Sequence, residues 1–203
     1  MDDRERIKTH FAQLVERFGH DYRGLDYGRP ESQQVRFAVL AGHVPGDASV
    51  LDVGCGFADF ADWLEKSGKT PRYTGIDLSP DMIRGARERR PDLDLREGDP
   101  FSVEGQWDVV VANGVFYLLR ESPTESMQAL ITRMFELCSN RCVFSSLSSW
   151  GPAPEEGEFC ADPLETVAFC RTLTPWVELD HAYFHHDFAV VLHREPRRDA
   201  SVD

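Results

Sequence analysis

The sequence predicts an α/β fold: a mostly parallel sheet of seven strands, covered by helices on both faces, with one reversed strand near the carboxyl end. Three observations predict it. From residue 49 onward, strand-like apolar runs alternate with segments of helical period. The stretch VLDVGCGFADFADWL, residues 50–64, reads as a strand, a turn holding Gly54 and Gly56, and an amphipathic helix. The last two strand signals, WVELDHAY and FAVVLHR, lie only a few residues apart, too close for a helical crossover, so they must pair antiparallel.

Taken in order, residues 4–17 show helical periodicity in Ile7, Phe11, Leu14 and Val15. The polar stretch HDYRGLDYGRPESQQ follows, and Pro30 opens a second helix carrying Val35, Phe37, Val39 and Leu40. The turn VPGDA leads into the sheet, so residues 1–45 read as a helical appendage or lid and 46–195 as the sheet domain. Strand one is SVLDV, followed by a helix from about Asp59 to Ser67. Strand two is RYTGID, and Pro80 starts a helix through Arg89. LDLREGD and WDVVVAN are strands three and four, and after the loop GVFYLLRESP a long helix spans Thr124 to Leu137. RCVFSSLS is strand five. A loop from Trp150 to Pro163 precedes a helix through Leu173, then the closing strand pair. Residues 196–203 form a polar tail.

The chain of 203 residues suits one substantial core. Its charge of −13, from 22 basic and 35 acidic side chains, argues against a phosphate-tracking surface and so against a nucleic-acid substrate. No apolar run reaches membrane-spanning length and MDDRERIKTH lacks the apolar centre of a secretory signal, so the cytoplasm is the expected compartment and no membrane partner is expected. The five cysteines include no CxxC pair, which indicates neither a disulfide scaffold nor a thiolate metal site. Cys138 and Cys142 are expected to flank a helix-to-strand turn as buried small hydrophobes.

Gly54 and Gly56, after a strand and before a helix, are expected to bring backbone amides close to a ligand. A dinucleotide loop would need a third glycine at position 59. Asp59 stands there, and a carboxylate repels a pyrophosphate; GxxxxGK[ST] is also absent. The acids instead suit a ligand with sugar hydroxyls and a cationic part. Asp77 ends strand two, where a carboxylate accepts both ribose hydroxyl hydrogens. Asp99, after Gly98, suits an exocyclic adenine amine, with Pro100 and Phe101 beside the ring. Asp52, beneath the glycine turn, can orient it or answer an ammonium group through water.

This combination resembles the class I S-adenosylmethionine-dependent methyltransferases over residues 48–194, through VLDVGCGFADF, YTGIDLSPDMIRGARER, REGDPF and WDVVVANGVFYLL. The resemblance implies a Rossmann-like three-layer sandwich, S-adenosyl-L-methionine as cofactor and S-adenosyl-L-homocysteine as product. Carried over by position, Asp52, Gly54, Cys55 and Gly56 form the loop beside the cofactor, and Asp77 with Leu78 faces the ribose. Met82 or Ile83, Gly98, Asp99 and Pro100 surround the base, and Asn113, Gly114 and Phe116 wall the methyl group. Ala58 departs from the family by one methyl, where a third glycine is common.

Methyl transfer asks a protein to align an acceptor, exclude water and take up a proton where the nucleophile carries one. His185 and His186, in the hairpin, are the candidate general bases. Metal coordination by His181, His185, His186 and Asp187 matches no compact ligand spacing, so no metal is expected. Tyr22, Tyr27 and Arg36 of the appendage, with Glu31, are candidates to close over the substrate, Arg36 as partner of a carboxylate. Phe116, Tyr117, Trp150 and Tyr183 are the remaining candidate substrate contacts. The fourth strand lacks the Asp/Asn-Pro-Pro-Tyr/Phe arrangement of enzymes that methylate the exocyclic amine of adenine or a glutamine amide. A small metabolite methylated on oxygen or nitrogen, less readily on carbon, fits best. The alternatives are a protein or RNA acceptor, and a noncatalytic nucleoside-binding scaffold.

Overall fold

In the computed structural model, residues 2–196 are described, and the tail expected over 196–203 lies outside them from residue 197 on. Seven strands form one sheet: β1 (Ser49–Val53), β2 (Arg72–Asp77), β3 (Asp94–Glu97), β4 (Trp107–Ala112), β5 (Cys138–Leu147), β6 (Val177–Phe184) and β7 (Asp187–His193). The order is β3-β2-β1-β4-β5-β7-β6, parallel from β3 to β5, with β7 antiparallel to both its neighbours. The mostly parallel sheet with a reversed strand near the carboxyl end is therefore present. Because chain order reverses direction between β1 and β4, their carboxyl ends open a crevice, the place where such sheets receive ligands.

Alternation of side chains along the central strands gives two apolar faces and hence three layers. Leu51, Val110, Phe144 and Val190 pack with Met127, Ile131 and Met134 of α5 (Pro123–Leu137) and Cys170 of α6 (Pro163–Leu173). Val50, Val109, Val143 and Val191 pack on the other face. Their partners are Phe37 and Leu40 of α2 (Pro30–Ala41), Leu64 of α3 (Asp59–Lys66), and Ile83 of α4 (Pro80–Arg89). The second amino-terminal helix is thus built into the core of the sheet.

Helix starts follow their capping residues. Asp162 accepts from the backbone N–H of Leu164 and of Glu165, both at 2.9 Å, and Pro163 begins α6. Ser79 precedes Pro80 in the same arrangement at α4. α1 (Asp3–Phe18) is capped by Asp2 and ends at Gly19, yet none of its residues is buried. Its apolar stripe faces a cavity rather than the core.

Two local expectations change. α5 runs directly into β5 with no turn, so Cys138 opens the strand and Cys142 lies within it, both buried. A shift in the β4–β5 register at Trp107 lets β5 begin earlier than the apolar run suggests. β3 is shorter than expected, as suits a sheet edge of exposed polar residues. Among the described residues no helix is long and apolar enough to cross a membrane.

Candidate active site

A cavity of about 1020 Å³ lies over the carboxyl ends of β1, β2 and β4. Its floor holds the acids read from the sequence. Asp77, ending β2, accepts from Gly56 N at 2.9 Å on one oxygen and from Ser79 N at 2.8 Å on the other. Each oxygen keeps lone pairs for a second donor, as a vicinal diol requires. Burial raises its pKa, and the two backbone donors oppose that rise. Asp52 is 3% exposed and accepts from Tyr73 Oη at 2.5 Å. Burial lifts its pKa to about 7, against the pull of that hydrogen bond.

The glycine turn works differently from the expectation. Gly54 N and Cys55 N both donate to Ile76 O, at 2.8 and 3.1 Å, and Gly56 N donates to Asp77. The three amides are engaged within the protein, so the turn is no anion cradle, and this removes a pyrophosphate cofactor more firmly than Asp59 does. Gly54 and Gly56 adopt φ of +74° and +53°. A Cβ there would meet Val115 and Leu25, each at 2.5 Å, so the glycines admit neighbouring side chains. Asp59 itself pairs with Arg89 at 2.7 Å. Ala58 occupies the left-handed region at φ +62°, which explains why glycine suits that position.

Asp99 lines the cavity but is already held: it caps the short helical turn Pro100–Ser102 through Phe101 N at 2.9 Å and pairs with Arg4 of α1 at 2.5 Å. Leu78, Met82, Gly98 and Pro100 line the same end. At the other end, Asn113 donates from Nδ2 to Tyr27 Oη at 2.7 Å and accepts from Ser145 Oγ at 2.7 Å. Tyr117 donates to Asp26 at 2.8 Å, and Asp26 also receives His10 at 2.7 Å.

Arg36 is not free for an acceptor's carboxylate. It is 8% exposed and grips Asp187, 2% exposed, through Nε at 2.9 Å and Nη2 at 2.8 Å. Burial raises the Asp187 carboxyl's pKa, and the adjacent guanidinium counters it. Tyr183 donates to the other Asp187 oxygen at 2.5 Å and is not among the residues that line the cavity. His186 lines the cavity with its pKa lowered by burial and then by Arg36, so its imidazole is neutral near pH 7. His185 is exposed at the hairpin tip, outside the lining. Tyr22 and Trp150 also stand outside it, Trp150 being 50% exposed against His181. Phe116 backs the cavity from the core, edge-on to Phe144 at 5.5 Å.

Some wall residues were not read as site residues from the sequence. Ile7, Phe11, Leu14 and Phe18 place the apolar stripe of α1 along one side, and Glu158 and Cys160 come from the loop after β5. Helical spacing marked the stripe without saying what it would face. Asp187 carried a signal, an acid opening a strand otherwise wholly apolar up to His193. Among the described residues no group of three or more His, Cys, Asp or Glu side chains is arranged to hold a metal ion.

Residues 51–144 match the family model described as methyltransferase domain. A Mycobacterium tuberculosis protein that carries the name putative methyltransferase is 28% identical over 72% of this chain and 93% of its own length. The dTDP-3-amino-3,6-dideoxy-alpha-D-glucopyranose N,N-dimethyltransferase of Streptomyces fradiae is 39% identical over 39% of this chain and 30% of its own length. Among solved structures, the magnesium protoporphyrin IX methyltransferase of Synechocystis PCC 6803 with bound S-adenosylmethionine superposes with a TM-score of 0.69. It shares 16% identity, with 96% of this chain and 98% of that one covered.

Proposed function

We propose that this chain, which has the class I S-adenosylmethionine-dependent methyltransferase fold, transfers a methyl group by in-line displacement to an oxygen or nitrogen of a small metabolite. The observation that carries the reading is a continuous cavity running from Asp77 and Asp99 to His186 and Asp187, walled along one side by α1. Its volume, about 1020 Å³, sits at the upper end of the range of small-molecule sites and accommodates a nucleoside together with a compact acceptor.

The residues present fit the cofactor. Asp77 offers an acceptor pair for a ribose diol, the engaged glycine amides leave no phosphate cradle, and Leu78 and Met82 give an apolar surface for a base. When bound, S-adenosylmethionine supplies a sulfonium methyl group already activated for attack, and S-adenosylhomocysteine remains. Everything else falls to the protein. Asn113 and Gly114 end β4 beside β1, where Val53 lies opposite Ala112, and so wall the meeting point of donor and acceptor. His186, neutral near pH 7, accepts a proton from an acceptor that must lose one. The α1 stripe, Leu25 and Phe37 exclude water from the path of attack. Residues 2–29 serve as the lid, with Arg4–Asp99 tying α1 to one end of the cavity, while α2 is fixed in the core and holds Asp187 at the other end through Arg36.

The test is incubation of the chain and a methyl-labelled donor with metabolite extract, RNA and protein fractions, followed by mass analysis. Label in a low-molecular-weight product is expected. Label confined to RNA or protein refutes the small-molecule assignment.

A further inference from the structure

The hydroxyl of Tyr27 stands at the end of a partly buried chain of hydrogen bonds. Gly114 N donates to Ser145 Oγ at 3.3 Å, Ser145 Oγ donates to Asn113 Oδ1, and Asn113 Nδ2 donates to Tyr27 Oη. Turning the Asn113 amide over would strand the hydroxyl hydrogen of Ser145, a side chain 1% exposed, without an acceptor. The phenol oxygen therefore accepts from Asn113, and among the described residues it makes no other hydrogen bond. Burial raises its pKa, so the phenol keeps its proton at neutral pH and acts as a donor. Tyr27 lines the cavity, so the proton it keeps is within reach of an acceptor held there.

The cationic side chains along the described wall are otherwise occupied. Arg36 holds Asp187, Arg4 holds Asp99, and Arg23 holds Asp21 at 2.6 Å. An α-amino acid carries opposite charges on substituents of one carbon, so its site needs an acidic acceptor and a donor side by side. Asp52 supplies the acceptor at the end of β1, and Asn113 with Tyr27 stands at the end of the adjacent β4.

We propose that Tyr27 is the donor that anchors the carboxylate of the cofactor's amino-acid end, with Asn113 and Ser145 as positioning residues that set the direction of its hydrogen. The proposal rests on the S-adenosylmethionine reading above. Isothermal titration of the full chain tests it without any acceptor, using S-adenosylhomocysteine, its decarboxylated analogue and 5′-methylthioadenosine.

Tyr27→Phe is expected to weaken S-adenosylhomocysteine roughly tenfold to a hundredfold, the size of one hydrogen bond to a charged group, and to leave the other two ligands within about twofold. Asn113→Asp offers the phenol a carboxylate to donate to and so draws the hydrogen away from the cavity. It is expected to reproduce the loss for S-adenosylhomocysteine while 5′-methylthioadenosine binds as before, and the double variant to be no worse than either single one. Unchanged S-adenosylhomocysteine affinity in Tyr27→Phe, or equal weakening of all three ligands, overturns the proposal. A native chain that binds none of the three overturns the cofactor reading instead.

Discussion

Asp52→Asn isolates a buried carboxyl whose folded and unfolded pKa values stand far apart, 3.8 in its ordinary state and about 7 beneath the glycine turn. A carboxyl with a raised folded-state pKa binds its proton more tightly in the native chain. The stability it contributes is full below pH 3.8 and is lost as pH rises through about 7. Each pH unit inside that window is worth about 1.4 kcal/mol, so moving from pH 5 to pH 8 costs the native protein about 3 kcal/mol through this one group. The substituted amide does not titrate, and its oxygen still accepts the Tyr73 hydroxyl hydrogen at the same place. For a chain of this length 1 kcal/mol moves Tm by about 2–4 °C, so the variant should gain about 6–12 °C on the native protein between pH 5 and pH 8. Thermal melts of both proteins at pH 5, 6, 7 and 8, without nucleoside present, measure the gap. A gap that stays constant across the series refutes the assignment of a proton to Asp52 near neutrality.

Three further outcomes follow from the site. Asp77→Ala removes both diol-facing oxygens and should weaken S-adenosylmethionine and S-adenosylhomocysteine together by at least about a hundredfold, read by isothermal titration; unchanged affinity would sink the cofactor assignment. Arg36→Met leaves the Asp187 carboxylate buried without its ion-pair partner, at a cost of about 3–5 kcal/mol in denaturant unfolding, and adding Asp187→Asn should recover much of it. Once an acceptor is found, His186→Ala should lower kcat by about 10²–10⁴ if that acceptor carries a proton, whereas the exposed His185→Ala should stay within about twofold. Because burial lowers the pKa of His186, kcat/KM of the native protein should fall on acidification at a pH below that of a free imidazole.

The sheet was legible because each central strand is an apolar run bounded by turn residues, and both features are local. SVLDV, RYTGID and WDVVVAN appear in the structure with the bounds, to within a residue, that their composition suggests. The acids at strand ends were legible for the same reason: once the strands are placed, Asp52 and Asp77 must fall at the carboxyl edge. What stayed hidden was pairing at long range. Arg36 meets Asp187 across 151 positions, and Asp99 meets Arg4 from a helix that precedes the sheet, so neither engagement leaves a trace in spacing. The order of His185 and His186 was equally opaque. A hairpin tip has no fixed period, and only the loop at Ser148, whose N–H donates to His186 O at 3.0 Å, decides which of the two lies against the cavity.

The unburied state of α1 bears on the speed of the protein as much as on its contents. A helix with no fully buried residue is expected to open at a lower free energy than the sheet, which faster amide exchange over Asp3–Phe18 than in β4 and β5 would show. If α1 covers the cavity as the lid proposed above, ligands enter and leave during those openings, which then bound turnover independently of the chemical step. Solvent viscosity and salt, the latter acting on the Arg4–Asp99 pair, are then the variables that would reveal such gating.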